Sequence, residues 1–296
     1  MEKSFTPQGS IVALVTPLKK TGEIDEEKLR ELVNWQIESG TNGIVPVGTT
    51  GESATLTHVE HRRVVSIVIA EAKKRVPVIA GAGSNSTKEA IELARYAQEA
   101  GADAILSISP YYNKPMPDGM FAHFAAIAKI GLPIILYNVP SRTGKNIEID
   151  TVIKLAANPN IVGIKEASCD LNRIMEILRK KPNNFAVLSG EDSWTLALVG
   201  LGANGAIGVT PNEMPREFSE MIALGLEKKC DQALKIHNRL LPLMNANFLE
   251  TNPIPVKTAL ALMGKIDFNV RLPLSPMQTT NKVELEKIMR DLKLIQ

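Results

Sequence analysis

Eight short β-rich runs recur along this chain, and a longer polar–apolar segment separates most of them from the next. The runs are Ser10 to Val15, Gly43 to Val47, Val76 to Ala80, Ala104 to Ile108, Pro133 to Tyr137, Ile161 to Lys165, Ala186 to Ser189 and Ala203 to Ile207. Between them lie helical patterns such as Asp25 to Ser39, Thr57 to Lys74, Thr87 to Ala100 and Asp170 to Lys180. Strands that alternate with helices predict a parallel sheet. Eight such units predict closure into an α/β (β/α)8 TIM barrel. An open doubly wound sheet is the competing solution. It usually carries a glycine-rich turn after its first strand, whereas here Thr16-Pro17-Leu18-Lys19 follows.

Helix ends support these boundaries. Thr57 and Ser86-Thr87 stand where N-caps belong, with Glu89 in the first turn of its helix, and Gly40 and Gly101 stand just past helix ends. After residue 208 the strand pattern stops. Helical segments follow over Pro215 to Leu226, Cys230 to Met244, Pro255 to Met263 and Val283 to Leu294. No low-complexity linker intervenes. The expected organisation is a barrel over residues 1–222 and a C-terminal helical extension over 223–296 that packs with it as one unit.

Composition excludes several classes. The chain has 296 residues and a net charge of +2, with no long run of one sign. That leaves no electrostatic footprint for nucleic acid or an acidic membrane surface. Two cysteines, Cys169 and Cys230, are too few for a disulfide scaffold or a thiolate metal cage. The start Met1-Glu2-Lys3-Ser4-Phe5-Thr6-Pro7-Gln8 lacks the apolar core of a signal peptide. No stretch reaches the ~20 apolar residues of a transmembrane helix. A cytoplasmic protein is expected.

In a barrel of this kind the site forms at the carboxyl ends of the strands, so the residues at those ends matter most. Lys165 closes the run Ile161-Val162-Gly163-Ile164. An amine partly removed from water there can act as a nucleophile and form a Schiff base with a ketone. Lys165 could equally snorkel out of the sheet end into a surface ion pair. Tyr137 ends the preceding run and would share a cavity with Lys165. Strand two is followed by Gly48-Thr49-Thr50-Gly51-Glu52-Ser53, whose hydroxyls and backbone N–H groups suit a carboxylate; a tight turn with capping threonines would look the same. Strand four ends in Ser109-Pro110-Tyr111-Tyr112-Asn113. Three of the four tyrosines, Tyr111, Tyr112 and Tyr137, thus lie at strand ends, where phenols can pass protons or serve an interface. Arg142, in Asn138-Val139-Pro140-Ser141-Arg142-Thr143-Gly144, could hold a second carboxylate or lie on the surface. Strand seven meets Gly190-Glu191-Asp192, and strand eight gives Gly205-Ala206-Ile207-Gly208. His58 and His61 share a helix without the spacing of a zinc motif. The converging amine, phenols, threonines and arginine suit an enamine aldolase that needs no metal.

These pieces closely resemble the dihydrodipicolinate synthase family. Gly48-Thr49-Thr50-Gly51-Glu52, Tyr111-Tyr112-Asn113, the Tyr137 to Gly144 segment, Gly163-Ile164-Lys165-Glu166-Ala167 and the tail segment Glu250-Thr251-Asn252-Pro253-Ile254-Pro255-Val256-Lys257 occur in the family's order over nearly the whole chain. The resemblance implies condensation of pyruvate with L-aspartate 4-semialdehyde in lysine biosynthesis, with no cofactor and no metal. It implies that Lys165 forms the imine and that Thr49, Tyr112 and Tyr137 relay protons. Thr50 and the Ile207 backbone hold pyruvate, and Arg142 holds the semialdehyde. It also implies a homotetramer, a dimer of tight dimers in which Tyr112 crosses an interface. Feedback inhibition by L-lysine is implied at Ser53, Ala54, His58, His61, Asn85, Glu89 and Tyr111. A sibling such as N-acetylneuraminate lyase would share Lys165 and Tyr137 but resembles Gly-Ser-Thr-Gly-Glu rather than Gly-Thr-Thr-Gly-Glu. A binding protein that kept the barrel and a phosphate-binding isomerase are the rivals of other classes.

Overall fold

Closure of the sheet is the feature that places the site. In the computed structural model, which describes residues 5–296, eight strands pair in parallel in the order β2-β1-β8-β7-β6-β5-β4-β3. They are β1 (Gly9–Ala13), β2 (Gly43–Val45), β3 (Ile79–Gly81), β4 (Ala104–Ile108), β5 (Ile134–Asn138), β6 (Ile161–Glu166), β7 (Ala186–Ser189) and β8 (Gly205–Gly208). The last seam, between β2 and β3, is joined by a parallel bridge from Ile44 to Val78. Bonds from Ile44 N to Pro77 O and from Gly81 N to Pro46 O, both 3.0 Å, run across it. The sheet is therefore a closed barrel, as the eight repeating units predict. Met1–Ser4, part of the start read above for a leader, lies outside the described residues.

The third strand begins later than the apolar run suggests. Its first residues include Pro77, which has no N–H to give to a ladder, and regular pairing begins at Ile79. At the seam a glycine is required: a Cβ on Gly81 would lie 2.3 Å from the carbonyl oxygen of Val47.

The helices are α1 (Glu26–Glu38), α2 (His58–Ala72), α3 (Thr87–Ala100), α4 (Pro117–Ala128), α5 (Pro140–Thr143), α6 (Ile149–Ala156), α7 (Leu171–Lys180), α8 (Thr195–Gly200) and α9 (Pro215–Leu226). The C-terminal α10 (Cys230–Ala246), α11 (Ile254–Leu262) and α12 (Thr279–Asp291) follow. The expected caps are present. Thr57 and Glu60 close a reciprocal capping box at α2, Ser86 caps α3, and Gly101 ends α3 in the left-handed region. Helix α9 runs through residue 222 without a break.

Three apolar layers hold these parts together. Strand residues that alternate outward, such as Val12, Ile44, Ile105, Leu136, Ile164 and Val187, pack against the helices. The inward set, Ile11, Val45, Ile79, Leu106, Ile135, Leu188 and Ile207 among them, fills the barrel. A separate cluster formed by Phe218, Met221, Leu240, Leu243, Leu285 and Met289 joins α9, α10 and α12. Buried polar ties anchor the tail to the barrel: Lys257 Nζ donates to Thr16 O at 3.0 Å and pairs with Glu52, both side chains being essentially inaccessible. Among the described residues no helix is long and apolar enough to cross a membrane.

Candidate active site

Strand alternation decides which of two neighbouring charges enters the barrel. Lys165 and Glu166 follow one another at the end of β6, so they point to opposite faces. Glu166 faces the helices, where Arg173 Nε donates to it at 3.1 Å and Asn138 Nδ2 at 2.7 Å. Lys165 faces inward and is buried, at 6% exposure. The β5–β6 register pairs Tyr137 with Lys165. The Lys165 Nζ lies 4.6 Å from the centroid of the Tyr137 ring. Glu166, locked to Arg173, fixes the strand end from behind, and the Lys165 amine is left facing the barrel interior in front.

Above this pair is a cavity of about 620 Å³, lined by Thr49, Thr50, Tyr137, Arg142, Lys165, Glu191 and the tail residues Phe248 to Asn252, among others. The turn after β7 gives Lys165 its space. A Cβ on Gly190 would come within 2.6 Å of Ala167 Cβ and 3.0 Å of Lys165 Cε. Burial pushes the Glu191 carboxyl above the ordinary carboxylate range, and neighbouring Asp192 adds to this, although Lys165 opposes it. Asp192 is itself buried and shifted upward by burial. It accepts from Val209 N at 2.9 Å and Thr210 N at 2.6 Å, bonds that hold the β8 turn in place. Arg142, on α5, donates from Nη2 to the carbonyl oxygen of Asn252 at 3.2 Å. Asn252 Nδ2 donates to Thr50 Oγ1 at 3.0 Å.

A second cavity, of about 560 Å³, adjoins the first, and Thr49, Tyr137 and Arg142 line both. Its other residues include Ser53, Ala54, His58, His61, Glu89 and Tyr111. His58 Nε2 lies 3.1 Å from Glu89, whose other oxygen is bonded to Ser84. His61 Nε2 lies 2.9 Å from Gly81 O. Facing a carbonyl, that nitrogen carries the proton. Burial holds the His61 imidazole down to about 4, so it is neutral at physiological pH.

Of the residues singled out from sequence, Lys165, Tyr137, Thr49, Thr50 and Arg142 meet in one cavity, and six of the seven regulatory candidates meet in the other. Three stand apart. Ile207 is packed in the barrel interior beside the first cavity. Asn85 lies off the second, its carbonyl oxygen accepting from Asn113 Nδ2 at 2.9 Å. Tyr112 is 89% exposed, with a left-handed backbone (φ 70°), and lines neither cavity. Glu191 and Asn252 line the first cavity without having been given roles from sequence. The tail's Asn252-Pro253-Ile254-Pro255 reads as an ordinary helix start, and only tertiary packing carries it to the barrel mouth.

Known proteins resemble this chain along its length. The sequence pattern of the Dihydrodipicolinate synthetase family matches residues 6–292. The 4-hydroxy-tetrahydrodipicolinate synthase of Geotalea uraniireducens is 53% identical over 289 residues, 97% of this chain and 99% of its own. The structure of the chloride inhibited dihydrodipicolinate synthase from Acinetobacter baumannii complexed with pyruvate superposes with a TM-score of 0.96 at 48% identity, covering 98% of this chain and 100% of that one. The enzyme from Cyanidioschyzon merolae with lysine bound superposes with a TM-score of 0.95 at 41% identity, covering 97% and 99%. With its eight-stranded barrel, the lysine and tyrosine on adjacent strand ends and a match from residue 6 to residue 292, the chain belongs to the dihydrodipicolinate synthetase family.

Proposed function

We propose that this protein is a lyase-type enzyme, a 4-hydroxy-tetrahydrodipicolinate synthase that condenses pyruvate with L-aspartate 4-semialdehyde on the route to diaminopimelate and lysine. The observation that carries the reading is the buried Lys165 amine beside the Tyr137 ring, in a cavity that also holds Thr49, Thr50 and Arg142. Lys165 Nζ attacks the ketone carbon of pyruvate and water leaves, giving an imine. A methyl proton passes to the relay of Tyr137, Thr49 and Tyr112, and the enamine carbon attacks the aldehyde. The new alkoxide takes a proton from the relay. The substrate's amino group then adds to the imine carbon and expels Lys165, closing the ring. Thr50 and the Ile207 backbone bind the pyruvate carboxylate, and Arg142 binds that of the semialdehyde. Side chains of this sequence, with Tyr112 contributed by a second copy, supply the groups in this scheme, and it uses no metal or cofactor.

The second cavity supports regulation by L-lysine. The carboxylate of Glu89, already paired with His58, suits an ammonium group, and Ser53, Ala54, His61 and Tyr111 line the same cavity; Asn85, which lies off it, is assigned to the set on the family resemblance alone. The exposed Tyr112 supports a homotetramer of tight dimers, with each Tyr112 completing the partner's relay. The protein is read as cytoplasmic, with small molecules rather than nucleic acid or membrane as partners. Turnover of the two substrates, followed through NADPH consumption by a coupled reductase, tests the reading. A saturable rate supports it, and absence of rate from folded protein removes it. For regulation, millimolar L-lysine should inhibit the wild type and fail to inhibit Glu89→Ala.

A further inference from the structure

One residue of the C-terminal region touches two groups that come from different parts of the barrel mouth. Asn252 is buried, at 6% exposure. Its carboxamide Nδ2 donates to Thr50 Oγ1, from the loop after β2, at 3.0 Å. Its main-chain oxygen accepts from Arg142, on α5, at 3.2 Å. The side-chain contact and the main-chain contact are chemically separate, so substitution of the side chain addresses Thr50 alone.

A hydroxyl has one proton and two lone pairs. The carboxamide N–H occupies one lone pair of Thr50 and leaves its proton uncommitted. Among the described residues no group accepts that proton, and Thr50 lines the first cavity. With its proton free, the hydroxyl can donate into the cavity.

We propose that Asn252 is a positioning residue that sets the polarity of the Thr50 hydroxyl, keeping it a donor toward the carboxylate of the bound keto acid. This rests on the pyruvate reading above. The consequence is specific. An aspartate at 252 has nearly the same shape but can only accept. It draws the Thr50 proton to itself and turns the hydroxyl's lone pairs toward the ligand carboxylate, so a favourable contact becomes a repulsive one. A side chain that merely filled space would make Asp the milder change and Ala the harsher.

The test uses the full-length protein and measures KM for each substrate, kcat, and the mass adduct trapped by borohydride at saturating pyruvate. Asn252→Ala should raise the pyruvate KM about tenfold, the size of one lost charge-assisted hydrogen bond, and leave the semialdehyde KM within about twofold. Asn252→Asp should raise the pyruvate KM further still. In a Thr50→Val background Asn252→Ala should add nothing, because the group it acts through is gone. Three results overturn the inference: Ala as harmful as Asp or more so, an equal penalty in the Thr50→Val background, or both KM values rising together in Asn252→Ala. Wild-type protein that traps no adduct overturns the Schiff-base reading, and this inference with it. An adduct in the wild type with the wrong order of variants overturns the inference alone.

Discussion

Lys165 and Tyr137 are register partners on adjacent strands, and the amine of one sits 4.6 Å from the ring centroid of the other. The pairing separates two roles that can be measured apart. Lys165→Ala should abolish the borohydride-trapped pyruvate adduct altogether, since the nucleophile is gone. Tyr137→Phe keeps the ring packing and removes only the hydroxyl. It should still form adduct but lose roughly 10²-fold in kcat, the low end of a general acid–base contribution. Adduct formation by Lys165→Ala would move the imine to another lysine.

Gly190 gives Lys165 its room. A methyl group there would press on Ala167 Cβ at 2.6 Å and on Lys165 Cε at 3.0 Å. The backbone of the turn cannot yield easily, because Gly190 N bonds to Glu166 O at 2.8 Å. Gly190→Ala should therefore displace the lysine stem, slow adduct formation by about tenfold or more, and leave the circular dichroism spectrum unchanged. Stopped-flow measurement of imine formation reads this directly.

The barrel was legible because its signal is local. Each strand is a short apolar run, each helix carries its own cap, and eight repeats leave few topologies. That Lys165, Tyr137, Thr49, Thr50 and Arg142 would share a cavity was legible for the same reason, since residues at strand ends converge once the barrel closes. What stayed hidden depends on tertiary reach. Asn252 enters the mouth from a segment some two hundred positions beyond Thr50; the segment was matched to the family, but nothing in its local pattern tells that its side chain reaches Thr50. The inward direction of Lys165 and outward direction of Glu166 follow from strand alternation, yet the Arg173 contact that locks Glu166 comes from the next helix. Tyr112 was expected from the resemblance to act across an interface, and its 89% exposure in the single chain is consistent with that proposal.

The Lys257–Glu52 pair ties the tail to the β2 loop with both charges out of water. Burial lowers the Lys257 ammonium from its ordinary range, and Glu52 opposes that shift. Removing one partner of a buried pair leaves the other charge uncompensated, at a cost of about 3–5 kcal/mol. Lys257→Met should lower unfolding free energy in urea by that amount. The double variant Lys257→Met with Glu52→Gln should recover part of the loss, because no bare charge remains. Equal stability of the single and double variants would show that the cost lies in lost packing instead.

His61 gives the protein a defined acid sensitivity. Burial lowers its folded-state pKa from 6.5 to about 4, while its Nε2–H donates to Gly81 O across the β3 end. Between pH 6.5 and 4 the unfolded chain takes up a proton on this residue that the folded chain refuses. Stability therefore rises with pH through that window. The contribution is fully present above about pH 6.5 and is lost as pH falls toward 4. At about 1.4 kcal/mol per pKa unit, the change from pH 7 to pH 5 is roughly 2 kcal/mol. Gln can keep the donor to Gly81 O but does not titrate. In His61→Gln the difference in unfolding free energy between pH 7 and pH 5 should shrink by about that amount. His123, also held near 4 by burial, keeps a similar dependence of its own. Urea titrations of both proteins at the two pH values measure the effect, and an unchanged difference would mean that His61 opens to solvent before the barrel unfolds.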